Sequence, residues 1–316
     1  MSPMTTDMIV RGFDHPALLY RDRDEYLSGV LPFIEDGLGA GLPVMVAVPE
    51  ANLGLIRDAL GPATTAKVTM RDMTSAGRNP GRIIPGVLLR FADAHAGRPV
   101  RIIGEPIWPG RDEMEYPACV QHEALINSVF EGRDAAVLCP YDVAGLDEAR
   151  IADAHRTHPV MAGNGIRWGS TTYADPFAVA ADFNLDLPDP PVDAIWLVLD
   201  DVALAEVRRS VCEYATAAGL PPDRVADLRL AVNELVSNTM THAGGRGTLY
   251  LWLEDAHVVC QVTDGGHIGD PLAGRRPPAR RDAPGGRGLL LVNHLCDLVR
   301  VHTRPGATTI RVHVCR

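Results

Sequence analysis

Short apolar runs alternate with helical periodicities along residues 18–168. Buried strands are predicted at residues 43–49 (PVMVAVP), 100–104 and 135–139. Helices are predicted at residues 52–60, 87–96 and 118–130. Such alternation is typical of a parallel or mostly parallel sheet covered by helices, so the first part of the chain is predicted to be a layered α/β domain.

The C-terminal part follows a different order of elements. Helices are predicted at residues 204–218, 223–242 and 289–298, and strands at residues 247–254, 258–263, 300–303 and 308–314. Residues 265–286 are rich in Gly, Pro and Arg. This composition predicts a mobile loop between the strand at residues 258–263 and the helix at residues 289–298.

A proline-rich stretch separates the two parts. Residues 185–192 (LDLPDPPV) contain three prolines beside acidic residues and cannot sustain a helix or a strand ladder. We therefore predict one domain at residues 1–185, a linker at residues 186–193 and a second domain at residues 194–316.

Composition and charge narrow the function classes. The 316 residues are 46% hydrophobic and 22% charged, which suits a folded protein with two cores. The net charge is −10 and no basic cluster is dense enough for duplex DNA, so protein partners are expected rather than direct nucleic-acid binding. No apolar run approaches the roughly 18 residues of a spanning helix, and no secretory segment is visible at the N-terminus. We expect a cytoplasmic protein that does not enter the membrane.

Cysteine and lysine usage exclude two kinds of site. The six cysteines lack C-x-x-C spacing and are expected to be buried thiols rather than a zinc knuckle or a redox pair. Lys67 is the only lysine, so the G-K-[ST] tripeptide of a Walker A loop is missing and any nucleotide must be held in another way.

Three motifs in the C-terminal part carry candidate chemistry. Glu234, Asn238 and His242 follow one another at spacings of four and so share one helix face, although a solvated face would look the same. T-D-G-G at residues 263–266 ends a predicted strand, either as an ordinary turn or as an acceptor beside flexible backbone. G-G-R-G-L at residues 285–289 opens a helix whose free amides favour phosphate oxygens.

Taken in order, these motifs resemble the N, G1 and G2 boxes of the GHKL (Bergerat-fold) ATPases over residues 202–314. The resemblance implies a Bergerat-type α/β sandwich that binds ATP with Mg²⁺. It implies that Asn238 coordinates Mg²⁺, that Asp264 accepts the adenine amino group and that Glu234 orients or deprotonates the attacking hydroxyl or water. The further residues implied at the nucleotide are His242, Gly266, Gly286, Arg287, Gly288 and Thr308. The implied ATP lid is residues 267–287, where five arginines either meet phosphate or are simply solvated: Arg275, Arg276, Arg280, Arg281 and Arg287.

Within that superfamily, N-E-L-V-S-N-T-M-T-H-A at residues 233–243 is most similar to the anti-sigma factor serine kinases of bacteria, whose box is E-L-V-x-N-x-x-x-H-A. The second box departs from the usual D-x-G pattern, since D-G-G-H-I follows at residues 264–268. A conventional histidine kinase would carry a phosphorylatable histidine on a helix pair before the ATP domain. Residues 169–201 contain no histidine, so autophosphorylation there is not expected.

The N-terminal part resembles the MEDS domain, a DcmR-type sensory module. The similar segments are H-P-A-L-L-Y (15–20), N-P-G-R-I-I-P (79–85), G-E-P-I-W-P (104–109), H-E-A-L-I-N (122–127), C-P-Y-D (139–142) and T-H-P (157–159). Ala17 stands where the family often has cysteine, so sensing through a thiol or soft metal at that position is not expected. The candidate ligand-sensing residues are His15, Tyr20, Glu105, Glu123 and His158, with structural hydrogen bonding as the alternative for each.

Together the two resemblances predict a signal-responsive anti-sigma factor. It would bind Mg-ATP, sequester a sigma factor and phosphorylate a serine or threonine of an anti-anti-sigma protein of the STAS type, while a small organic signal acts on the N-terminal domain. One alternative is an ATP-dependent binding module without transfer, and another is a histidine kinase-like protein acting on a separate phosphoacceptor. A homodimer is compatible with the sequence.

Overall fold

The computed structural model describes residues 12–200, 203–277 and 286–316. The chain divides into two compact units, each with its own core. The first unit takes the residues up to Arg78 together with Gly86–Ala180. The second takes Asn79–Pro85 together with Ala181–Arg316, so each unit is built from separate stretches of the chain.

The first unit is built around a mostly parallel sheet. Its strands are β1 (Phe13–Asp14), β2 (Pro16–Tyr20), β3 (Val44–Val48), β4 (Thr69–Asp72), β5 (Val100–Gly104), β6 (Ala135–Asp142), β7 (Val160–Gly163) and β8 (Ile166–Gly169). Its helices are α1 (Arg23–Gly39), α2 (Glu50–Thr65), α3 (Met73–Ala76), α4 (Arg90–Ala94), α5 (Tyr116–Val129), α6 (Glu148–Thr157) and α7 (Pro176–Asp182), of which α7 ends in the second unit. A 3₁₀ turn at Pro80–Arg82 and a π-helical segment at Ile84–Leu89 precede α4.

The strand order in this sheet is β4-β3-β5-β6-β2-β7-β8, with β1 also paired to β6. The β7–β8 pair is antiparallel and the others are parallel. All residues of β3 are buried, as expected for a parallel strand with both faces covered. The predicted α/β class is confirmed, and the predicted strand at residues 100–104 coincides with β5.

The second unit has helices packed on an antiparallel sheet. Its elements are β9 (Ile195–Val198), α8 (Leu204–Ala217), α9 (Pro222–His242), β10 (Gly247–Glu254), β11 (His257–Asp264), α10 (Gly288–Leu295), β12 (Leu298–Arg304) and β13 (Ala307–Cys315). The strand order is β12-β13-β11-β10-β9. Leu228, Ala231 and Leu235 of α9 join Leu249 and Val312 of the sheet in a fully buried core.

The stretch predicted to be a linker contacts this sheet. Residues 186–193 form no helix or strand, as the prolines require. Asn184, just before them, donates from Nδ2 to the carbonyl of Thr303 at 2.7 Å and accepts the Thr303 amide at 3.0 Å. Arg311 donates to the carbonyl of Pro188. The chain is therefore held against the second unit before β9 begins.

The short segment Asn79–Pro85 is attached to α10 within the second unit. Asn79 donates from Nδ2 to the carbonyl of Asn293 at 2.8 Å, and Asn293 donates from its own Nδ2 to the carbonyl of Gly274 at 3.0 Å. A Cβ at Gly81 would lie 2.7 Å from Cγ of Asn293. Glycine is required there because the segment passes so close to α10.

Candidate functional site

The polar stripe of α9 lies beside its apolar face. Because Leu228, Ala231 and Leu235 are buried in the core, the helix turns Glu234 and Asn238 to a half-buried position. His242 is the last residue of α9 and is exposed. The predicted shared face is therefore observed for Glu234 and Asn238, whereas His242 lies at its exposed end.

The start of α10 lies directly against this stripe. A Cβ at Gly288 would lie 3.0 Å from Oε2 of Glu234 and 3.4 Å from Nδ2 of Asn238. Gly286, two residues earlier, has a φ of 79°, which favours glycine, and Arg287 between them is exposed. The free backbone N–H groups at the first turn of α10 thus lie beside the carboxylate of Glu234 and the side-chain amide of Asn238. Gly288 adds no side chain to the space between them.

The carboxylate of Asp264 ends β11 in a defined orientation. Its Oδ1 accepts the Gly266 amide at 2.8 Å and its Oδ2 accepts the Thr239 hydroxyl at 2.6 Å. Thr308, which is buried in β13, donates to the carbonyl of Gly266 at 3.1 Å. Thr239 directly follows Asn238 in the chain but is not among the site residues predicted from the sequence. Its contact depends on the distance between α9 and β11, which no local pattern reports.

Part of the predicted lid lies in the described residues. Gly274 has a φ of 74°, and a Cβ there would lie 2.7 Å from Cβ of Leu289 in α10. Arg276 pairs with Asp270 at 3.1 Å in an exposed position. Arg280 and Arg281, with the rest of residues 278–285, lie outside the described residues. The first section of the lid is thus packed on the helix that opens the site.

In the first unit, His15, Glu123 and His158 form one buried cluster. Nε2 of His15 lies 3.3 Å from Oε2 of Glu123, and Nε2 of His158 lies 3.2 Å from the same oxygen. Burial and the neighbouring His158 lower the pKa of His15. Glu123 and its neighbour His122 in α5 are both buried, at 0% and 2% exposure.

The other two sensory candidates form a second cluster. Glu105 follows β5. Nδ2 of Asn52 donates hydrogen bonds to its Oε1 at 3.0 Å and to its Oε2 at 2.9 Å. The hydroxyl of Tyr20 lies 3.5 Å from Oε1, and that of Tyr26 lies 3.4 Å from Oε2. Burial raises the pKa of Glu105 to about 8 despite these hydrogen bonds. The five predicted sensory residues thus divide between two buried clusters.

Comparison with known proteins gives a separate similarity for each part of the chain. The family model "MEthanogen/methylotroph, DcmR Sensory domain" (MEDS) matches residues 14–159, and the model "Histidine kinase-like ATPase domain" matches residues 197–314. The anti-sigma F factor of Pasteuria penetrans is 31% identical over 117 residues, which cover 32% of this chain and 75% of that protein.

The chain is also similar in part to solved structures. The RsbU and RsbW domains of a Mycobacterium tuberculosis protein match 40% of this chain at 21% identity with a TM-score of 0.30, and the match spans 33% of that chain's length.

Among the described residues, no helix is both long and apolar enough to cross a membrane.

Proposed function

We propose, since the chain belongs to the anti-sigma F factor family through its histidine kinase-like ATPase domain and also carries a MEDS sensory domain, that it is a signal-responsive anti-sigma factor. In this proposal it binds Mg-ATP, sequesters a sigma factor and phosphorylates a serine or threonine of an anti-anti-sigma protein of the STAS type. The observation that carries the proposal is the approach of Gly288 at the start of α10 to Glu234 and Asn238 of α9.

The residues at this place fit a nucleotide. Asp264 is oriented by Thr239 and Gly266, so its remaining lone pairs are available to an adenine amino group. The free amides of α10 favour a phosphate group, and a side chain larger than glycine at position 288 would occupy that space. Asn238 offers an amide oxygen to Mg²⁺, which prefers oxygen ligands.

Glu234 is the residue we assign to the transfer step. ATP supplies the phosphoryl group, and Mg²⁺ held by Asn238 would neutralise its charge. The bond from the γ-phosphorus to the β-γ bridging oxygen breaks, a bond to the acceptor hydroxyl oxygen forms, and ADP leaves. Glu234 accepts the proton of that hydroxyl, while Asn238 beside it holds the metal. Positioning and charge stabilisation then account for most of the catalysis.

The partners are supported by the family and by charge. The net charge of −10 disfavours nucleic acid and leaves protein surfaces as the targets. The first unit supplies the input, through a small organic signal that we assign to the buried cluster of Tyr20 and Glu105. His15, Glu123 and His158 form a separate buried cluster.

The test compares two neighbouring residues of α9 in the full chain. The protein is mixed with its co-purified anti-anti-sigma candidate and γ-labelled ATP, and label on serine or threonine is followed. Glu234→Gln is expected to retain ATP affinity while transfer falls by about 10²–10⁴-fold, the range for loss of a general base. Asn238→Ala is expected to lose ATP binding and transfer together.

Glu206→Gln, an exposed position on α8, is the matched control and should behave as wild type. Equal transfer by wild type and Glu234→Gln would remove Glu234 from the mechanism. Tight ATP binding and ATP-dependent partner capture without any label would instead establish a binding module that does not transfer phosphate.

A further inference from the structure

Four buried side chains from separate elements of the first unit converge on one point. His15 precedes β2, Glu123 belongs to α5, Cys139 to β6, and His158 directly follows α6. Their potential ligand atoms all lie within 4.8 Å of one another, and no side chain of the four is more than 2% exposed. We propose that this set, the His-Glu-Cys-His cluster, binds a transition-metal dication of the Zn²⁺ class.

Three of the six distances between the ligand atoms match the edges of a coordination tetrahedron. Nε2 of His15 lies 3.3 Å from Oε2 of Glu123, Nε2 of His158 lies 3.2 Å from that oxygen, and Sγ of Cys139 lies 3.4 Å from Nε2 of His15. Metal-ligand bonds of about 2.0–2.3 Å in tetrahedral geometry place the ligand atoms about 3.3–3.7 Å apart. The other pairs of ligand atoms lie within 4.8 Å, so a small movement of the side chains toward a central ion would complete the tetrahedron.

Hydrogen bonds outside the cluster fix both imidazoles with a lone pair directed inward. Asn127 donates from Nδ2 to three backbone carbonyls, so its Oδ1 must accept the proton on Nδ1 of His15 at 3.0 Å. Nδ1 of His158 lies 2.9 Å from the carbonyl of Ala154, which can only accept, and 2.9 Å from the hydroxyl of Thr157, which itself donates to the carbonyl of Asp153 at 3.0 Å. In the neutral imidazoles the proton is then on Nδ1, and Nε2 carries the lone pair. An outer carbonyl or amide oxygen that sets the tautomer in this way is the usual surrounding of a metal-binding histidine.

The inner atoms do not satisfy one another. Neither oxygen of Glu123, nor Nε2 of His158, has a hydrogen-bond partner of acceptable geometry among the described residues. A thiol proton from Cys139 could serve at most one of these acceptors. Leaving buried acceptors without donors is costly, and two imidazole lone pairs facing a carboxylate repel. A cation at the centre removes both penalties.

The donor set selects the class of metal. Two imidazoles, a carboxylate and a thiolate suit Zn²⁺, Fe²⁺ or Co²⁺, whereas Mg²⁺ and Ca²⁺ prefer oxygen ligands throughout. All four tetrahedral positions come from the protein, so the site is closed, as in structural zinc sites. Because its ligands come from four parts of the fold, the ion would tie β2, α5, β6 and the end of α6 together.

The experiment uses the untagged full chain, stripped with a chelator and then dialysed against Zn²⁺ or Co²⁺. We expect one metal per chain by elemental analysis. The Co²⁺ form should show the intense visible bands of a tetrahedral site together with a near-ultraviolet thiolate band. Zn²⁺ should raise the melting temperature of the wild-type protein, since it binds the folded state.

Variants then assign the metal to the cluster. Cys139→Ser should lose the thiolate band, and His158→Gln should lose more than about 100-fold in affinity, beyond the 10–100-fold typical of an outer-shell change. Cys119→Ser is the matched control, because Cys119 is also a fully buried thiol but lies outside the cluster. It should keep the stoichiometry and the spectrum.

Two results would overturn the proposal. One is a wild-type protein that retains no zinc after dialysis or whose Co²⁺ form lacks a thiolate band. Because this result uses only the wild-type protein, it holds even where a variant fails to fold. The other is equal metal affinity and identical spectra in wild type, Cys139→Ser and His158→Gln, which would locate the metal elsewhere.

Discussion

The hydroxyl of Thr239 donates to Oδ2 of Asp264 at 2.6 Å, and through this bond α9 determines the orientation of the carboxylate that ends β11. The second oxygen of Asp264 is held by the Gly266 amide at 2.8 Å. A carboxylate fixed at both oxygens presents its remaining lone pairs in one direction only. Recognition of a ligand there requires less reorganisation than recognition by a freely rotating side chain.

Thr239→Val is therefore expected to weaken ATP binding. The substitution preserves shape but removes a hydrogen bond to a charged acceptor, which is worth about 1.5–3 kcal/mol, so the loss of orientation lowers ATP affinity by at most about one to two orders of magnitude. Calorimetric titration with ATP measures the change. Thr241→Val is the control, because the Thr241 hydroxyl is exposed and donates only to the carbonyl of Ser237 at 2.8 Å. Equal losses in the two variants would show that Asp264 does not depend on Thr239.

Gly288→Ala should reduce ATP affinity at least as strongly. Its methyl group would lie 3.0 Å from Oε2 of Glu234 and 3.4 Å from Nδ2 of Asn238, in the space that we assign to phosphate. We expect a loss of about tenfold or more, together with little change in the melting temperature of the nucleotide-free protein. In the control Gly269→Ala, the nearest atom to the new methyl is Nε2 of His267 at 3.6 Å, an ordinary contact. Undiminished ATP affinity in Gly288→Ala would exclude the start of α10 from the site.

Burial of Glu105 makes the stability of the protein pH-dependent. The pKa of Glu105 is about 8 in the folded protein, against 4.5 for an ordinary glutamate. Between these values the unfolded chain has released a proton that the folded chain keeps, so the free energy of unfolding falls as pH rises from about 5 to 8. The slope from this residue is at most about 1.4 kcal/mol per pH unit.

Glu105→Gln is neutral throughout and should remove that slope from urea denaturation curves collected at several pH values. The exposed Glu35→Gln serves as the control and should retain it. A wild-type protein whose stability is flat from pH 5 to 8 would mean that Glu105 is ionised in the fold.

Gly81→Ala should destabilise the second unit. The added methyl would lie 2.7 Å from Cγ of Asn293, and overpacking of this kind costs about 1–3 kcal/mol. Chemical denaturation measures the loss. Gly86→Ala, five residues later, provides a close comparison because a Cβ there has no atom within 4 Å. A stable Gly81→Ala protein would show that Asn79–Pro85 can leave α10 without cost.

Local sequence patterns predicted those helices and strands whose apolar residues recur with the regular spacing of a helix or of a strand. The strand β10 coincides with its predicted range, and the helix α8 was predicted to within one residue. The helix α1 was not predicted, in part because Pro32 lies inside it. Asp22 is its N-cap, and the side chain of Asp22 accepts hydrogen bonds from the amides of Asp24 and Glu25. Its buried Tyr26, Val30 and Ile34 follow the expected spacing of four.

The candidate site residues also divide into those that lie close together in the chain and those that only the fold brings together. Glu234 and Asn238 were predicted because a single helix places them together. Cys139 was interpreted as one more buried thiol, since its neighbours His15 and His158 are far from it in the chain. Ala17, where the family often has cysteine, pairs in register with Cys139 on the adjacent strand. Only the order of strands in the sheet brings that thiol to the histidines.

The assignment of Asn79–Pro85 to the second unit has a consequence for recombination between proteins. A chimera that exchanges everything before the proline-rich stretch would also exchange the segment that binds Asn293, and would leave α10 beside a foreign sequence. A transplanted sensor needs an asparagine and a glycine equivalent to Asn79 and Gly81. An exchange of the sensory part that keeps α10 supported therefore has to retain residues 79–85 of this chain, although each unit has its own core.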